Sequence, residues 1–383
     1  MNRKSPAKTT AQPSDSGHKH LGVRGLAQLA KVSLGTIDRA LNDRSGISEK
    51  TRERILNLAR QHGYAPNLSA RALSFSRSSI RVGLCIPQEI RYFYDQIYAG
   101  FISEADRYRH VGMDVIYRPV KKLTSPTKQI IQGLLDSKID ALVITPGNAK
   151  NMAPIIETAE RDYNVRVICI ATDDSPTHRS TSISVDPQVN GSVAAELMAK
   201  IVPPGAHVAI MTGTLATEEH KKKVESFTHT FPVECRGGKV VSVIQGHEEE
   251  KEILDKTLQL LRKETDLAGI YISTANSIPV CQAVERAGLA GRIRIIATDL
   301  FPELTPFFQN GTLTASIYQN PYRQGQVAVQ LIVDHLLHDA PFPYAFYLNP
   351  VIALRSNLCM FREMRDLYPS IPSSAHTVVV DSQ

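Results

Sequence analysis

At 383 residues, 42% of them apolar, the chain is longer than one hydrophobic core ordinarily serves and reads as two or three folded domains. No apolar run approaches the roughly 20 residues that cross a bilayer, and the opening MNRKSPAKTTAQPSDSGHKH lacks the apolar middle of a signal peptide, so membrane-spanning and secreted classes are excluded and a cytoplasmic protein is expected. Charge is lopsided: residues 1–80 hold 14 Lys and Arg against 5 Asp and Glu, and the rest of the chain holds 30 against 33.

A cationic end on a mildly acidic body suits a polyanion, either nucleic acid or an anionic membrane; a solvated basic surface is the plain alternative. The cysteines Cys85, Cys169, Cys235, Cys281 and Cys359 are odd in number, far apart and never form a CxxC pair. They form neither a disulfide framework nor a zinc site, and buried free thiols are expected. No metal and no cofactor is expected.

Residues 1–20 read as a disordered basic tail, in which His18 and His20 are weak metal candidates. Val23, Leu26, Ala27 and Ala30 recur at helical spacing, so a short helix over 23–30 carries one apolar stripe. Ser33 is a good N-cap for a second helix to about Asn42, with Ile37, Ala40 and Leu41 inward and Gly35, Thr36 and Arg39 outward. After the turn cluster Asn42-Asp43-Arg44-Ser45-Gly46, Ser48 caps a third helix. Its Ile55, Leu58 and Ala59 face inward, and Gly63 ends it. Two helices across a tight turn, braced by a third, set one helix into the major groove of DNA. A protein-docking module has the same shape, but the positive charge weighs against it.

The run AQLAKVSLGTIDRALNDRSGISEKTRERILNLARQHGYAPNLSARAL resembles the N-terminal signature of the LacI/GalR family of bacterial transcription regulators at nearly every position from Leu26 to Leu73. The resemblance implies a DNA-binding set of Ser33, Leu34, Gly35, Thr36, Asp38, Arg39, Asn42, Tyr64, Asn67, Arg71 and Leu73. Within it, Leu34, Gly35 and Arg39 address base edges, and Thr36, Asn42, Tyr64 and Asn67 hold phosphates or position the unit. Lys31 replaces a family Gly, and Asp38 replaces a Ser on the side facing the polyanion. An acid there must pair with Arg39, accept from a cytosine amino group, or repel. By the same resemblance, 67–79 is a hinge helix and linker that orders when two subunits pair on DNA, with Leu73 wedged into the minor groove. A plain interdomain linker is the alternative there.

From Ile80 onward β-branched runs alternate with helical periods. RVGLCIP, MDVIY, ALVIT, VRVICIA and ISVD form a first series, with helices near 95–109 and 124–136 and another before VRVICIA. HVAIMT, VVSVI, GIYIS and IRIIATD form a second, with helices near 189–200, 219–230, 249–262 and 279–287. Two such βαβ series predict two α/β lobes with parallel sheets, whose ligands sit beyond the carboxyl ends of the strands. Those ends carry Gln88 to Tyr94, Thr145 to Asn148, Thr172-Asp173-Asp174, Asp186, Thr212 to Thr214, Ser273 to Asn276 and Thr298-Asp299, a polar set with aromatics. Each taken singly also serves as a cap or turn.

Residues 80–354 resemble, more loosely, the sugar-binding fold shared with periplasmic ribose-type receptors. In ATDLFPELTPFFQNGTLTASIYQNPYRQGQVAV the matching sugar-binding positions are Asp299 and Gln319, with Phe93 and Tyr94 as ring-stacking residues and Asn276 as a polar contact. Arg91, Asn148, Asp173 and Lys223 complete the expected effector set. Cations at Arg91 and Lys223 admit an acidic or phosphorylated sugar, and both also suit the surface.

The fold expected is α/β: a helix-turn-helix domain at 21–66, a hinge at 67–79, a two-lobed periplasmic-binding-protein-like (type I) domain at 80–360 and a tail at 361–383. The sequence offers no GxGxxG, Walker, HExxH or GxSxG motif, and Asp173-Asp174 reads as a cap or solvated loop, so no enzyme and no catalytic residue is expected. The reading is a sequence-specific DNA-binding transcription regulator, a repressor, working as a homodimer on a near-palindromic double-stranded operator under control of a sugar, polyol or sugar-acid effector. The alternatives are a sugar-binding receptor module and, behind it, a sugar-metabolising enzyme; a free receptor would lack the first 75 residues.

Overall fold

The computed structural model describes residues 23–41, 46–61 and 79–361, apart from 124, 126, 148, 174–177 and 247–248, and excluding the side chains of 23, 24, 38, 41, 149 and 150. The chain divides into two units at residues 74 and 75.

The first unit holds α1 (Val23–Ala30), α2 (Leu34–Leu41) and α3 (Glu49–Gln61). Its core is small: Leu26, Ala27, Ala30, Ile37, Ala40, Ile55 and Ala59 are buried together, with Val32, Ile47 and Leu58 half-buried around them. Helices of eight residues are marginal alone, so this shared core and the caps hold them. The Ser33 hydroxyl accepts from the Thr36 amide at 3.1 Å, and Ser48 does the same for Thr51 at 3.3 Å. Arg54 of α3 donates to the Ala30 carbonyl at 3.1 Å and ties the end of α1 to the bracing helix. Lys31, at φ 50°, takes the left-handed position that ends α1, with the Val32 amide reaching back to the Ala27 carbonyl at 3.1 Å.

The second unit begins with β1 (Arg81–Cys85), α4 (Arg91–Arg107), β2 (Asp114–Tyr117), α5 (Lys128–Asp136), β3 (Ala141–Ile144), α6 (Ala149–Asp162), β4 (Arg166–Ile170) and β5 (Thr181–Val185). It continues with α7 (Pro187–Ile201), β6 (His207–Thr212), α8 (Glu218–Glu234), β7 (Lys239–Gln245), α9 (Glu250–Lys263), β8 (Leu267–Ile272), α10 (Ile278–Arg286) and β9 (Arg294–Thr298). Then come α11 (Thr305–Gln309), β10 (Ala315–Tyr318), α12 (Pro321–His338), β11 (Phe346–Leu348) and β12 (Val351–Ala353). The strands form two six-stranded sheets, ordered β11-β5-β4-β3-β1-β2 and β12-β10-β9-β8-β6-β7. Every pairing is parallel except β10 with β12. Central strands such as β3, buried at all four positions, are covered on both faces, which is why they read as unbroken apolar runs.

The lobes are not the two consecutive series the alternation predicts. The first lobe takes back α12 and β11 from the end of the chain, and β12 returns to the second, so three connections cross between lobes, at 185–187, 319–321 and 348–351. The α12 and α4 backbones touch: a Cβ on Gly100 would lie 1.9 Å from the Tyr322 carbonyl oxygen, and one on Gly325 would lie 2.1 Å from that of Ile97. The first helix of the body also starts at Arg91 rather than near Asp95, because the left-handed Ile90 (φ 48°) turns the chain early and lets Phe93 and Tyr94 be buried in the first turn.

Candidate functional sites

On α2, Ser33, Leu34, Gly35 and Arg39 are exposed and Thr36 is half-buried, opposite the buried Ile37 and Ala40. Leu34 is 49% exposed, an apolar side chain of the kind that meets a thymine methyl group. The Thr36 hydroxyl is 2.9 Å from that of Ser33, so both polar groups sit at the positive end of α2, where backbone amides favour a phosphate. Asn42, Tyr64, Asn67, Arg71 and Leu73, with the expected hinge helix, lie outside the described residues, as does the Asp38 side chain.

The second candidate site lies between the two lobes of the body. Both sheets have the order in which ligands bind beyond the carboxyl ends of strands, and those ends face each other. The space between them is lined from the first lobe by Ile90, Phe93, Tyr94, Leu123, Ala171 and Thr172. The second lobe supplies Thr217, Glu219, His220, Lys223, Ser273, Thr274, Ala275, Asp299 and Gln319. Ile90, Ala171 and Asp299 have φ of 48°, 71° and 67°, backbone strain collected at one cleft.

Asp299, Gln319 and Lys223 form one buried network. The Gln319 amide nitrogen donates to Asp299 Oδ2 at 2.8 Å, and its oxygen accepts from Lys223 Nζ at 2.9 Å and from Asn190 Nδ2 at 3.4 Å. Lys223, 1% exposed, also pairs with Glu219 and reaches the Ser273 carbonyl at 3.5 Å. Burial pushes the Asp299 carboxyl up to about 7 against the opposing pull of Lys223 and the Gln319 hydrogen bonds. Burial likewise pushes His220 down against the pull of Glu219, whose carboxylate lies 3.4 Å from its Nε2, and its Nδ1 lies 3.2 Å from the Thr214 carbonyl. The hydroxyls of Thr145 and Thr172, at the ends of β3 and β4, are buried without a protein partner. Beneath the network Tyr271 donates to Asn190 at 3.3 Å and stacks on Phe227 at 4.8 Å, a rigid floor.

Three expected effector residues do not join this set. Arg91 is a correction: the helix turns Phe93 and Tyr94 inward and leaves the Arg91 side chain 83% exposed, paired with Asp95 at 3.3 Å in a surface groove shared with Phe301, Pro302 and Glu303 of the other lobe, not in the lining of the cleft. Asp173 is a second: its carboxylate is held by the buried Arg179, which donates to the Tyr344 carbonyl at 2.9 Å and packs over the Tyr344 ring at 4.6 Å. Asn276 accepts from the Tyr92 hydroxyl at 3.0 Å across the lobes, at the rim instead of the lining. Asn148 lies outside the described residues. Conversely, Glu219 and His220, which were not among the expected effector residues, line the cleft from the first turn of α8. The signal for them was the spacing 219, 223, 227, 231, one stripe whose last three members are buried.

The cleft is narrow. Its volume is about 50 Å³, room for a few waters against the roughly 300 Å³ and more of small-molecule sites, so a ligand requires the lobes to part. Contacts among the described residues that hold them together include Tyr92 stacked on Phe301 with centroids 3.7 Å apart, Tyr92 on Asn276, Lys122 with Glu249 at 2.6 Å, and Thr217 donating to the Gly147 carbonyl at 3.3 Å. A larger cavity of about 590 Å³ lies between α5 and α6; it shares Leu123 with the cleft and reaches Gly147 past the end of β3, but its lining carries no buried charge network. Among the described residues no helix is long and apolar enough to cross a membrane, and no group of His, Cys, Asp and Glu is placed to hold a metal.

Residues 24–67 match the family of bacterial regulatory proteins of the lacI type, and residues 82–340 match the periplasmic binding protein domain. Catabolite control protein A of Priestia megaterium is 22% identical over 82% of this chain and 92% of its own. The transcriptional regulator DegA of Bacillus subtilis is 22% identical over 70% and 77%. A solute binding protein of an ABC transporter from Burkholderia graminis, solved with D-arabinose, superposes with a TM-score of 0.68 at 20% identity over 74% of this chain and 98% of its own; at that identity the likeness is one of fold. With an exposed reading helix on one unit and a two-lobed cleft on the other, the chain belongs to the lacI family of bacterial regulatory proteins, DNA-binding transcription regulators built here on a periplasmic binding protein domain.

Proposed function

We propose that the protein is a cytoplasmic transcription repressor, acting as a homodimer on a near-palindromic operator, whose DNA affinity is set by a sugar or sugar-derived effector held between its lobes. The division of labour follows the sequence reading: reading unit at 21–66, hinge helix and linker at 67–79 with Leu73 as the minor-groove wedge, effector body at 80–360. The observation that carries the effector part is the buried cluster of Asp299, Gln319 and Lys223 beside the Phe93 and Tyr94 rings and the unpartnered Thr172 hydroxyl, which suits hydroxyl groups and a sugar's apolar face. The likeness of the body to a D-arabinose-binding receptor supports the same class.

Mechanistically, an effector that favours one lobe arrangement biases the placement of the paired hinge helices, a coupling typically of about 5- to 150-fold in DNA affinity. The test is a fluorescence titration of the full-length protein against inverted-repeat duplexes from its own promoter neighbourhood, with and without pentoses, hexoses and polyols. Binding should weaken with salt by about 0.9 log unit per neutralised phosphate and shift with one of the sugars. Indifference to these duplexes under all conditions defeats the regulatory reading, and DNA binding that no sugar shifts defeats the effector reading.

A further inference from the structure

Lys223 was the one expected cleft cation that the fold buries in the cleft, and its charge is already engaged. Glu219 stands in the first turn of α8 and Lys223 one turn further on, so the two side chains meet on one face of the helix, Glu219 being 11% and Lys223 1% exposed. The remaining donor capacity of Lys223 goes to the Gln319 oxygen and the Ser273 carbonyl, at 2.9 and 3.5 Å. Among the described lining residues the ionisable side chains are Glu219, Asp299, Lys223 and His220, and Glu219 sits between two of them, paired with Lys223 and 3.4 Å from His220 Nε2. Arg91, the other expected cation, pairs with Asp95 outside the lining, and the buried Arg179 pairs with Asp173. A carboxylate or phosphate brought between the lobes would meet Lys223 already paired with Glu219 and would lie beside the buried Asp299 carboxyl, an unfavourable burial of unmatched negative charge.

We propose that Glu219 is the specificity residue of the effector site: by consuming the charge of Lys223 it restricts the cleft to uncharged, hydroxyl-rich ligands and rejects sugar acids and sugar phosphates. The inference rests on the effector reading above and narrows its ligand class. Negative selection of this kind works by leaving the wrong ligand's charge unpaired, not by adding contacts to the right one. Replacing Glu219 by glutamine keeps the shape and a hydrogen-bonding group while releasing Lys223 to meet an anion.

The test is calorimetric titration of the full-length protein with matched probes: D-glucose, D-glucuronate and D-glucose 6-phosphate; D-galactose and D-galacturonate; D-ribose and D-ribose 5-phosphate. Wild-type protein is expected to bind an uncharged member at least about a hundredfold more tightly than its anionic partners, and Glu219→Gln to shrink that ratio about tenfold through a gain on the anionic arm. A gain of affinity for an anion is a result that a merely structural role for Glu219 does not produce. Glu219→Ser provides a second variant should the glutamine one fold poorly, and the wild-type ratio stands without either. Tighter wild-type binding of an acid or phosphate overturns the inference and leaves the effector reading in place; equal weakening of both arms in the variants overturns it as well. No binding in any arm defeats the effector reading, and the inference with it.

Discussion

Lys31 illustrates how one side chain can sit against its backbone. It ends α1 in the left-handed region at φ 50°, where glycine avoids a cost of about 1 kcal/mol that a Cβ incurs, which is the physical reason for glycine at this position in the family. Lys31→Gly is expected to stabilise the three-helix unit by up to about 1 kcal/mol, seen as slower amide exchange across α1–α3, while removing one positive charge from a DNA-facing unit. Asp299 makes a prediction in pH. Its carboxyl holds a proton up to about pH 7 in the folded protein and only to the ordinary carboxylate range when unfolded, so the folded state carries the extra proton between these limits. Its contribution to stability is therefore complete in acid and lost as pH rises to about 7. The melting temperature of wild type relative to Asp299→Asn should fall across that window and level off above it. His220, depressed by burial, acts in the opposite sense and is cancelled by the comparison with the variant. The identity of Asp299 as a cleft residue was legible in the sequence by resemblance; its protonation was not, because it depends on the Lys223, Gln319 and Glu219 side chains brought in from other elements.

At the scale of elements, the same substitution has opposite consequences depending on what lies opposite. Gly133 in α5 faces open space, so Gly133→Ala is expected to stabilise by about 1 kcal/mol through helix propensity alone. Gly325 in α12 sits against the α4 backbone, where a Cβ would lie 2.1 Å from the Ile97 carbonyl oxygen and 2.6 Å from the Phe101 amide. Gly325→Ala should cost about 3 kcal/mol or more, measured by chemical denaturation, because two helix backbones must separate. Most elements up to β9 were readable from period alone, and the N-caps of α2 and α3 from Ser33 and Ser48. The start of α4 was misplaced because Arg91 is a poor first-turn signal, and the burial of Phe93 and Tyr94 that fixes it is a tertiary event. The stripe of α8 carrying Glu219 and Lys223 was masked by the lysines around it.

For the whole molecule, closure of the body rests on a few bridging contacts outside the cavity. Tyr92 contributes both the stack on Phe301 and the bond to Asn276. Tyr92→Ala should loosen the lobes without an effector, raising the radius of gyration in small-angle scattering and speeding amide exchange at the ends of β8 and β9 by about tenfold. Unchanged scattering and exchange would show that the lobes are held without Tyr92, by contacts such as Lys122–Glu249 and Thr217–Gly147.

The amino-acid order by itself determined the basic reading unit, the alternation of strand and helix, and the polar strand ends, since each follows from composition or from periods of two and 3.6 that neighbouring residues express locally. Only the tertiary structure decided that α12 and β11 return to the first lobe, that Arg91 stays exposed outside the lining while Glu219 turns in, and that the charge of Lys223 is already matched. Those outcomes depend on which distant segments meet across three interlobe crossings, and charge compensation in a buried space is a property of the assembled neighbours, not of any one of them.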